Sequence, residues 1–118
     1  MDDDNIRLEV FFFRSDHGSE PVRDWLKSLP FDEKRMIGED IKTVQFGWPL
    51  GMPIVRKLEP GLWEVRSKLS DKIARVFFTV KGSKMVLLHG FIKKSEKTPQ
   101  DDLKVARQRL AQLRGENE

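Results

Sequence analysis

The feature that most constrains the fold is a change in hydrophobic period at a glycine- and proline-rich segment, residues 47–53. Before it, apolar residues recur at helical spacing, whereas after it apolar and polar residues alternate as in β-strands. Successive strands are predicted over residues 55–58, 62–69, 72–80 and 84–92. The dipeptides between them are typical of tight turns: Pro60-Gly61, Ser70-Asp71 and Gly82-Ser83. Consecutive strands joined by short turns predict an antiparallel meander.

A strand and two helices are predicted before this segment. Residues 6–13 alternate imperfectly and lead into a turn, which indicates an N-terminal strand. A first helix is predicted from Pro21, which suits the first helical position, to the break at Pro30. A second is predicted from Asp32, as its N-cap, to Gly47, which supplies a stop. The two helices are expected to form a hairpin.

A third helix is predicted after the meander. Thr98 is an N-cap residue, Pro99 suits the first turn, and Asp101 stands at the capping-box position. One helical face of the following segment is apolar, and it consists of Leu103, Ala106, Leu110 and Leu113. These patterns predict an α+β fold: an antiparallel β-sheet meander with an N-terminal strand, a two-helix hairpin and a C-terminal helix.

Composition narrows the class of protein. The 118 residues fit one domain spanning residues 1–118. The absence of cysteine excludes disulfides, thiolate zinc sites and cysteine nucleophiles, and neither His17 nor His89 is near a cluster of carboxylates, so we expect no metal and no cofactor. The N-terminus is acidic where a secretory signal would be basic, and no apolar run approaches the roughly 20 residues of a membrane span. We therefore expect a cytoplasmic protein with no membrane partner.

The net charge of +3 is unevenly distributed. Residues 1–51 hold 7 basic and 11 acidic side chains, residues 52–97 hold 11 basic and 4 acidic, and residues 98–118 hold four of each. The concentration of positive charge in the middle segment favours an anionic partner, of which nucleic acid is the commonest. The alternative is a solvated basic face without a ligand.

Several basic residues of the meander lie on two neighbouring predicted strands. Alternation over residues 62–69 places Glu64, Arg66 and Lys68 on one face of the strand. Arg75 lies in an apolar stretch of the next strand, where a guanidinium needs a partner. One interpretation pairs Arg75 with Glu64 across the strands, and the other has Arg66 and Arg75 grip a phosphate together; both can hold at once.

Three lysines, Lys93, Lys94 and Lys97, lie between the last predicted strand and the last helix. A loop at this place presents cations beside a helix N-terminus, whose free amide groups and positive dipole end favour an anion. A solvated lysine turn is the simpler interpretation. The arginines of the neighbouring strands favour a phosphate-binding role.

Four pieces of sequence, taken in order, resemble a known family. They are Lys57-Leu58 with Gly61-Leu62-Trp63-Glu64-Val65-Arg66, then Ala74-Arg75-Val76-Phe77-Phe78, then His89-Gly90-Phe91-Ile92-Lys93-Lys94, and finally Lys97-Thr98-Pro99. With the helices in compatible order, nearly the whole chain resembles the phage-derived HigB-like branch of the RelE/ParE toxin superfamily. The resemblance implies a RelE-like fold, a helix-turn-helix antitoxin as partner, and metal-independent cleavage of mRNA, usually on the ribosome.

The resemblance also implies roles for individual residues. Arg66 matches the strand arginine that holds the scissile phosphate, and the catalytic candidates are Arg66, Lys93, Lys57 and Lys94. The RNA-binding candidates are Arg75, Lys68, Lys97 and Arg56. The chain departs from many relatives in having no tyrosine, the residue that transfers protons near their C-terminus. Proton transfer is therefore left open among Lys57, Lys94 and Lys97, with His89 and Glu64 as further candidates.

Two other functions remain open at this point. A toxin of the same fold could inhibit gyrase in the ParE manner, without cutting RNA. The basic sheet could also serve a non-catalytic nucleic-acid-binding module. Either kind of toxin needs a partner that neutralises it, and Trp48, Met52 and Trp63 are candidate contact residues, although core packing explains tryptophan more often.

Overall fold

The computed structural model describes residues 7–93 and 99–115, and the elements of the fold lie within these ranges. The strands are β1 (Glu9–Phe12), β2 (Val55–Glu59), β3 (Leu62–Lys68), β4 (Ile73–Lys81) and β5 (Lys84–Lys93), and the helices are α1 (Pro21–Lys27), α2 (Phe31–Gly47) and α3 (Gln100–Gly115). None of these helices combines the length and apolar character that crossing a membrane requires.

The predicted meander is confirmed. The sheet has the strand order β1-β5-β4-β3-β2, in which β2 to β5 pair antiparallel with their neighbours in the chain. Each of these strands begins and ends within one residue of its predicted bounds, because turn dipeptides separate consecutive strands. The α+β class predicted from the sequence is therefore correct.

The N-terminal strand is shorter than predicted. It covers Glu9–Phe12 and pairs in parallel with β5, with Glu9 opposite Lys84. The preceding backbone amide groups, of Arg7 and Leu8, donate instead to the carbonyl oxygen of Gln45, at 3.0 and 3.2 Å. Arg7 and Leu8 are thus bound to α2, and Ile6 lies outside the described residues.

The helices follow the sequence signals, with one correction. Pro21 begins α1 as predicted, but the N-cap of α2 is Pro30 and not Asp32. The amide of Lys34 donates to the Pro30 carbonyl at 2.9 Å, so the helix begins before Asp32. Asp32 then lies in the first turn, where its charge favours the positive end of the helix dipole. The predicted cap of α3, Thr98, lies outside the described residues.

Apolar side chains pack on both faces of the sheet. On one face, Ile37, Ile41 and Val44 of α2 pack in a cluster with core residues that include Val65 and Phe78. We call this the hairpin face, because α1 and α2 cover it. On the opposite face, the buried residues of α3 pack with those of the strands in a second cluster, which includes Leu62, Phe77, Leu88, Leu103, Ala106 and Leu110. We call this the α3 face.

A close contact fixes α1 on the hairpin face. The Trp25 ring lies so close to the backbone of β5 that a Cβ atom at Gly90 would overlap it. Glycine is the residue that allows a ring to approach a strand this closely. Gly90 therefore has a packing role in the segment that follows His89.

Candidate functional site

The strand register places the basic residues of the meander together. Arg66 lies opposite Arg75, and Arg56 lies opposite Glu64. Residues directly opposite each other in an antiparallel pair project from the same face of the sheet. Since Glu64 and Arg66 are two residues apart on β3, all four side chains project on the α3 face.

Two lysines extend this group. Lys68 lies opposite Ile73, and Ile73 lies opposite Lys93, so both lysines project on the α3 face as well. The two are separated by two strand spacings, about 10 Å between backbones. Lys68 is exposed and Lys93 is half-buried. The register thus defines a cationic cluster on this face, made of Arg56, Arg66, Lys68, Arg75 and Lys93.

Glu64 lies at the centre of the three arginines. Its side chain is 0% exposed, and its carboxylate oxygens lie 3.7 Å from Nε of Arg56, 4.0 Å from Nε of Arg66 and 3.8 Å from Nε of Arg75. Within the described residues neither oxygen has a hydrogen-bond partner, so the contacts are ion pairs at long range. A single buried carboxylate is therefore shared by three guanidinium groups, and the group as a whole stays cationic.

The electrostatics of Glu64 are dominated by its burial. Burial raises the pKa of the carboxyl above its ordinary value, while Arg75, Arg56 and Arg66, in that order, oppose the shift. The cost of removing the carboxylate from water thus exceeds the attraction of the arginines. We conclude that Glu64 is held in this place at a cost to folding.

The three arginines differ in their access to solvent. Arg75 is 0% exposed, Arg66 18% and Arg56 39%. The predicted pairing of Arg75 with Glu64 is what the structure contains. The alternative prediction made Arg75 a direct phosphate ligand, but its guanidinium is buried and a bound phosphate cannot reach it. Arg66 and Arg56 are the arginines of the cluster that a bound molecule can reach.

The other predicted site residues divide into two groups. Lys57 is exposed but lies opposite Trp63, and therefore projects on the hairpin face. The cause is an irregularity between Lys57 and Glu59, which shifts the register of β2 and reverses the side on which Lys57 projects. Lys94 and Lys97 lie outside the described residues.

An open groove runs from the cationic cluster to α2. It lies where β3 extends beyond the first residue of β2, and the amide of Arg66 there donates to the Ile54 carbonyl at 2.8 Å. The groove has a volume of about 440 Å³ and is lined by Met36, Asp40, Pro53, Ile54, Arg66, Lys68 and Ile73. Sequence reasoning did not find Met36 or Asp40, because both are on a helix far from the basic strands in the chain.

His89 is held by partners on α3. Its Nε2 lies 2.6 Å from Oδ1 of Asp102, and its Nδ1 lies 3.4 Å from a terminal nitrogen of Arg109, which donates to the Leu88 carbonyl at 2.8 Å. The ring also stacks on Phe91, with 5.5 Å between centroids. Both ring nitrogens are thus engaged, which favours a packing role over proton transfer. No pattern in the sequence pointed to Asp102 or Arg109 as partners of His89.

The predicted partner contacts are mainly part of the core. Trp48 packs edge-on against Trp63 at 5.1 Å between centroids, and Trp63 stacks on Phe78. Both tryptophans are half-buried, whereas Met52 is 59% exposed. Of the three residues, Met52 offers the most surface to a partner.

Within residues 7–93 and 99–115, no group of three or more histidine, aspartate or glutamate residues is arranged to hold a metal ion.

Comparisons with known proteins identify the family. A search of curated proteins finds no match. Residues 24–111, well over half of the chain, match the family described as phage-derived protein Gp49-like (DUF891). The chain therefore belongs to the phage-derived Gp49-like family, which is associated with RelE-type toxins.

Proposed function

We propose that this protein is the toxin of a type II toxin-antitoxin system, of the HigB-like branch, and that it cleaves mRNA without a metal ion. The observation that carries the proposal is the cationic cluster, in which Arg56 and Arg66 surround a buried carboxylate beside Lys68 and Lys93. Membership of the Gp49-like family supports a toxin. The cluster supplies the chemistry that an RNA phosphate requires.

Arg66 is the residue best placed to hold the scissile phosphate. Its Nε is buried and lies 4.0 Å from the Glu64 carboxylate, in an ion pair without a hydrogen bond. Its terminal nitrogens form no hydrogen bond or ion pair with other described residues, and the side chain retains 18% of its surface. An arginine whose Nε faces a carboxylate and whose terminal nitrogens have no partner can donate two parallel hydrogen bonds to a phosphate.

The energetics of the cluster also support a role in binding. Burial raises the pKa of Glu64 despite three neighbouring arginines, so the carboxylate costs stability at neutral pH. Apolar residues of similar volume would pack the same space without this cost. Charged groups that are kept at a cost are typical of functional sites. We infer that Glu64 serves to position Arg66 and Arg56 for an anionic ligand.

The proposed reaction uses a nucleophile that RNA itself provides. The 2′-hydroxyl gives its proton to a base as its oxygen attacks the adjacent phosphorus, the bond to the 5′-oxygen breaks as an acid protonates that oxygen, and a 2′,3′-cyclic phosphate forms. Arg66 and Lys93 stabilise the negative charge of the phosphorane, while Arg56 and Lys68 bind flanking phosphates. Arg75 acts indirectly, as the buried counter-ion of Glu64.

Proton transfer falls to lysines that follow the sheet. Lys57 projects on the hairpin face and is withdrawn from the proposal. Lys94, the residue after Lys93 in the sequence, and Lys97, three residues further on, are the remaining lysine candidates. A lysine acts as a base near neutral pH where neighbouring positive charge lowers its pKa.

Positioning by the ribosome is part of the proposal. Alignment of the attacking and departing oxygens lowers the barrier by several kcal/mol, on the order of 7 to 11 for well-oriented groups. We therefore expect weak cleavage of free RNA and strong cleavage of translated mRNA. A helix-turn-helix antitoxin is the expected partner, and covering the cationic cluster is the simplest way for it to neutralise the toxin.

The test is replacement of Arg66. Arg66→Ala should abolish growth inhibition on expression and mRNA cleavage in a translation extract, as read by primer extension. Arg35→Ala is the matched control, because Arg35 is 68% exposed and pairs only with Glu39 among the described residues. Circular dichroism and thermal unfolding should show that both variants are folded.

The other outcomes separate the alternative functions. Full toxicity of a folded Arg66→Ala variant would refute the assigned site. Inhibition of gyrase supercoiling without mRNA cleavage would assign a ParE-like function. Binding of RNA by the wild type without cleavage and without growth inhibition would assign a binding module.

A further inference from the structure

The groove beside the cationic cluster joins two kinds of surface. Its cationic side is formed by Arg66 and Lys68, and its opposite side by Met36 and Asp40 of α2. We propose that this groove binds one guanine base of the RNA, with the adjoining phosphate on Arg66 and Lys68 and the base edge on Asp40. The inference rests on the proposed function and names a specificity site for it.

The size and lining of the groove suit a nucleobase. Its volume of about 440 Å³ is enough for one base and its ribose, and lies within the range of small-ligand sites. Apolar atoms dominate the lining, and the side chains of Ile54, Ile73 and Met36 supply them. Met36 is 43% exposed, more than a core methionine would be. A flat aromatic base can cover these side chains and remove them from water.

Asp40 supplies the polar element of the groove. It is half-buried, and within the described residues it forms no hydrogen bond or ion pair, although Arg66 and Lys68 line the same groove. An ionised carboxylate offers acceptors only. Guanine is the base whose pairing edge presents two adjacent donors, the N1–H and the N2 amino group. A carboxylate can accept from both at once, which no other RNA base permits.

The same arrangement disfavours a protein segment as the occupant. A peptide attracted by Arg66 and Lys68 would carry acidic side chains, and Asp40 would repel them in the groove. An RNA strand separates the two charges, because its phosphate is anionic and its guanine edge is a donor. The alternation of cation and carboxylate therefore matches a nucleotide better than an acidic peptide.

The test measures base preference with RNA that cannot be cleaved. Fluorescein-labelled 2′-O-methyl pentanucleotides that differ in the central base, guanine, adenine or uracil between uridines, are titrated with the full-length protein and followed by anisotropy. The wild type should bind the guanine oligonucleotide about tenfold more tightly than the others, the order expected for a bidentate base contact. Asp40→Asn should reduce this preference to less than about twofold.

The neighbouring residue provides the matched control. Glu39→Gln makes the same change of charge one residue earlier on α2, at a side chain that pairs with Arg35 and does not line this groove. It should retain the guanine preference, so a general loss of negative charge on α2 is distinguished from loss of the base contact. Circular dichroism confirms that both variants fold.

The outcomes distinguish this inference from the function on which it rests. Equal binding of all three oligonucleotides by the wild type, or an unchanged preference in Asp40→Asn, overturns the guanine site. If Arg66→Ala still abolishes binding and cleavage in that case, the proposed ribonuclease stands without it. If no oligonucleotide binds and translated mRNA is not cut, both fail. Tighter binding of a labelled acidic decapeptide by Asp40→Asn, without base preference, would assign the groove to a protein partner.

Discussion

Replacement of Arg75 by methionine tests the electrostatics of the cationic cluster most directly. Arg75 and Glu64 are both 0% exposed, and Arg75 is the arginine that most strongly opposes the raised pKa of Glu64. Methionine keeps much of the volume of the side chain and removes the charge. We expect Arg75→Met to raise the pKa of Glu64 further and to destabilise the protein at neutral pH.

The size of the effect follows from the geometry and from protonation. Charges separated by the 3.8 Å between Nε and Oε1 attract by roughly 4 kcal/mol at an effective dielectric constant of about 20. The variant limits this loss by taking up a proton, at about 1.4 kcal/mol per pH unit between the unfolded pKa and pH 7, or roughly 3 kcal/mol. Removal of a buried guanidinium offsets part of the cost. We expect a net loss of about 1 to 3 kcal/mol at pH 7.

The dependence on pH gives this prediction its sign. A carboxyl with a raised pKa contributes its full stability below its unfolded pKa, 4.5, and loses it as the pH rises through the folded value. Because the variant has the higher folded pKa, its deficit relative to wild type should be largest at neutral pH. The deficit should shrink as the pH falls toward 4.5, because Glu64 then takes up a proton in both proteins.

Urea unfolding followed by circular dichroism at pH 7 and pH 5 is the assay. Arg35→Met is the control, because its exposed pair with Glu39 should contribute less than about 0.5 kcal/mol at either pH. A deficit in Arg75→Met that is equally large at both pH values would show that packing, not the interaction with Glu64, is responsible. A variant as stable as wild type at pH 7 would refute the ion-pair argument itself.

Two further predictions concern single residues. Titration of the Glu64 carboxyl by carbon-13 NMR should give a pKa above 4.5 in the wild type. The pKa should be higher in Arg66→Ala, because one of the opposing arginines is removed. A pKa at or below 4.5 in the wild type would contradict the dominance of burial. Gly90→Ala should lower the free energy of unfolding by about 1 to 3 kcal/mol, because the added Cβ atom overlaps the Trp25 ring. Gly38→Ala, in α2 with no atom within 4 Å of the added Cβ, should raise the free energy of unfolding by about 0.4 to 1 kcal/mol in the same urea titration. A tolerated Gly90→Ala would mean that α1 can move away from β5.

The parts of the fold that depend on local signals were predictable. The meander strands were correct to within a residue because each turn contains a dipeptide typical of tight turns. The position of β1 was not, because its parallel pairing with β5 joins residues 9–12 to residues 84–87, and no local pattern specifies such a contact. The N-cap of α2 was misplaced since Pro30 and Asp32 are both compatible with a helix start.

In the candidate site, too, the positions that depend on local pattern were predictable and those that depend on strand register were not. The shared face of Glu64, Arg66 and Lys68 follows from the period of two, which requires no knowledge of the neighbouring strands. The position of Lys57 depends on the register of β2, and a tight turn at Pro60-Gly61 without an irregularity would have placed it opposite Glu64. One extra residue in β2 therefore decides whether this lysine can belong to the site.

Burial was the property that the sequence could least predict, and it determines the role of each arginine in the cationic cluster. Charge alone treats Arg56, Arg66 and Arg75 as equivalent cations, yet their exposed fractions of 39%, 18% and 0% give each a different task. The buried arginine is a counter-ion of the carboxylate, and the carboxylate also attracts the Nε atoms of the two accessible arginines, at 3.7 and 4.0 Å. A phosphate bound by Arg66 would therefore meet a guanidinium that is already oriented, which reduces the entropy lost on binding. The cost of burying Glu64 is met during folding, before any such ligand binds.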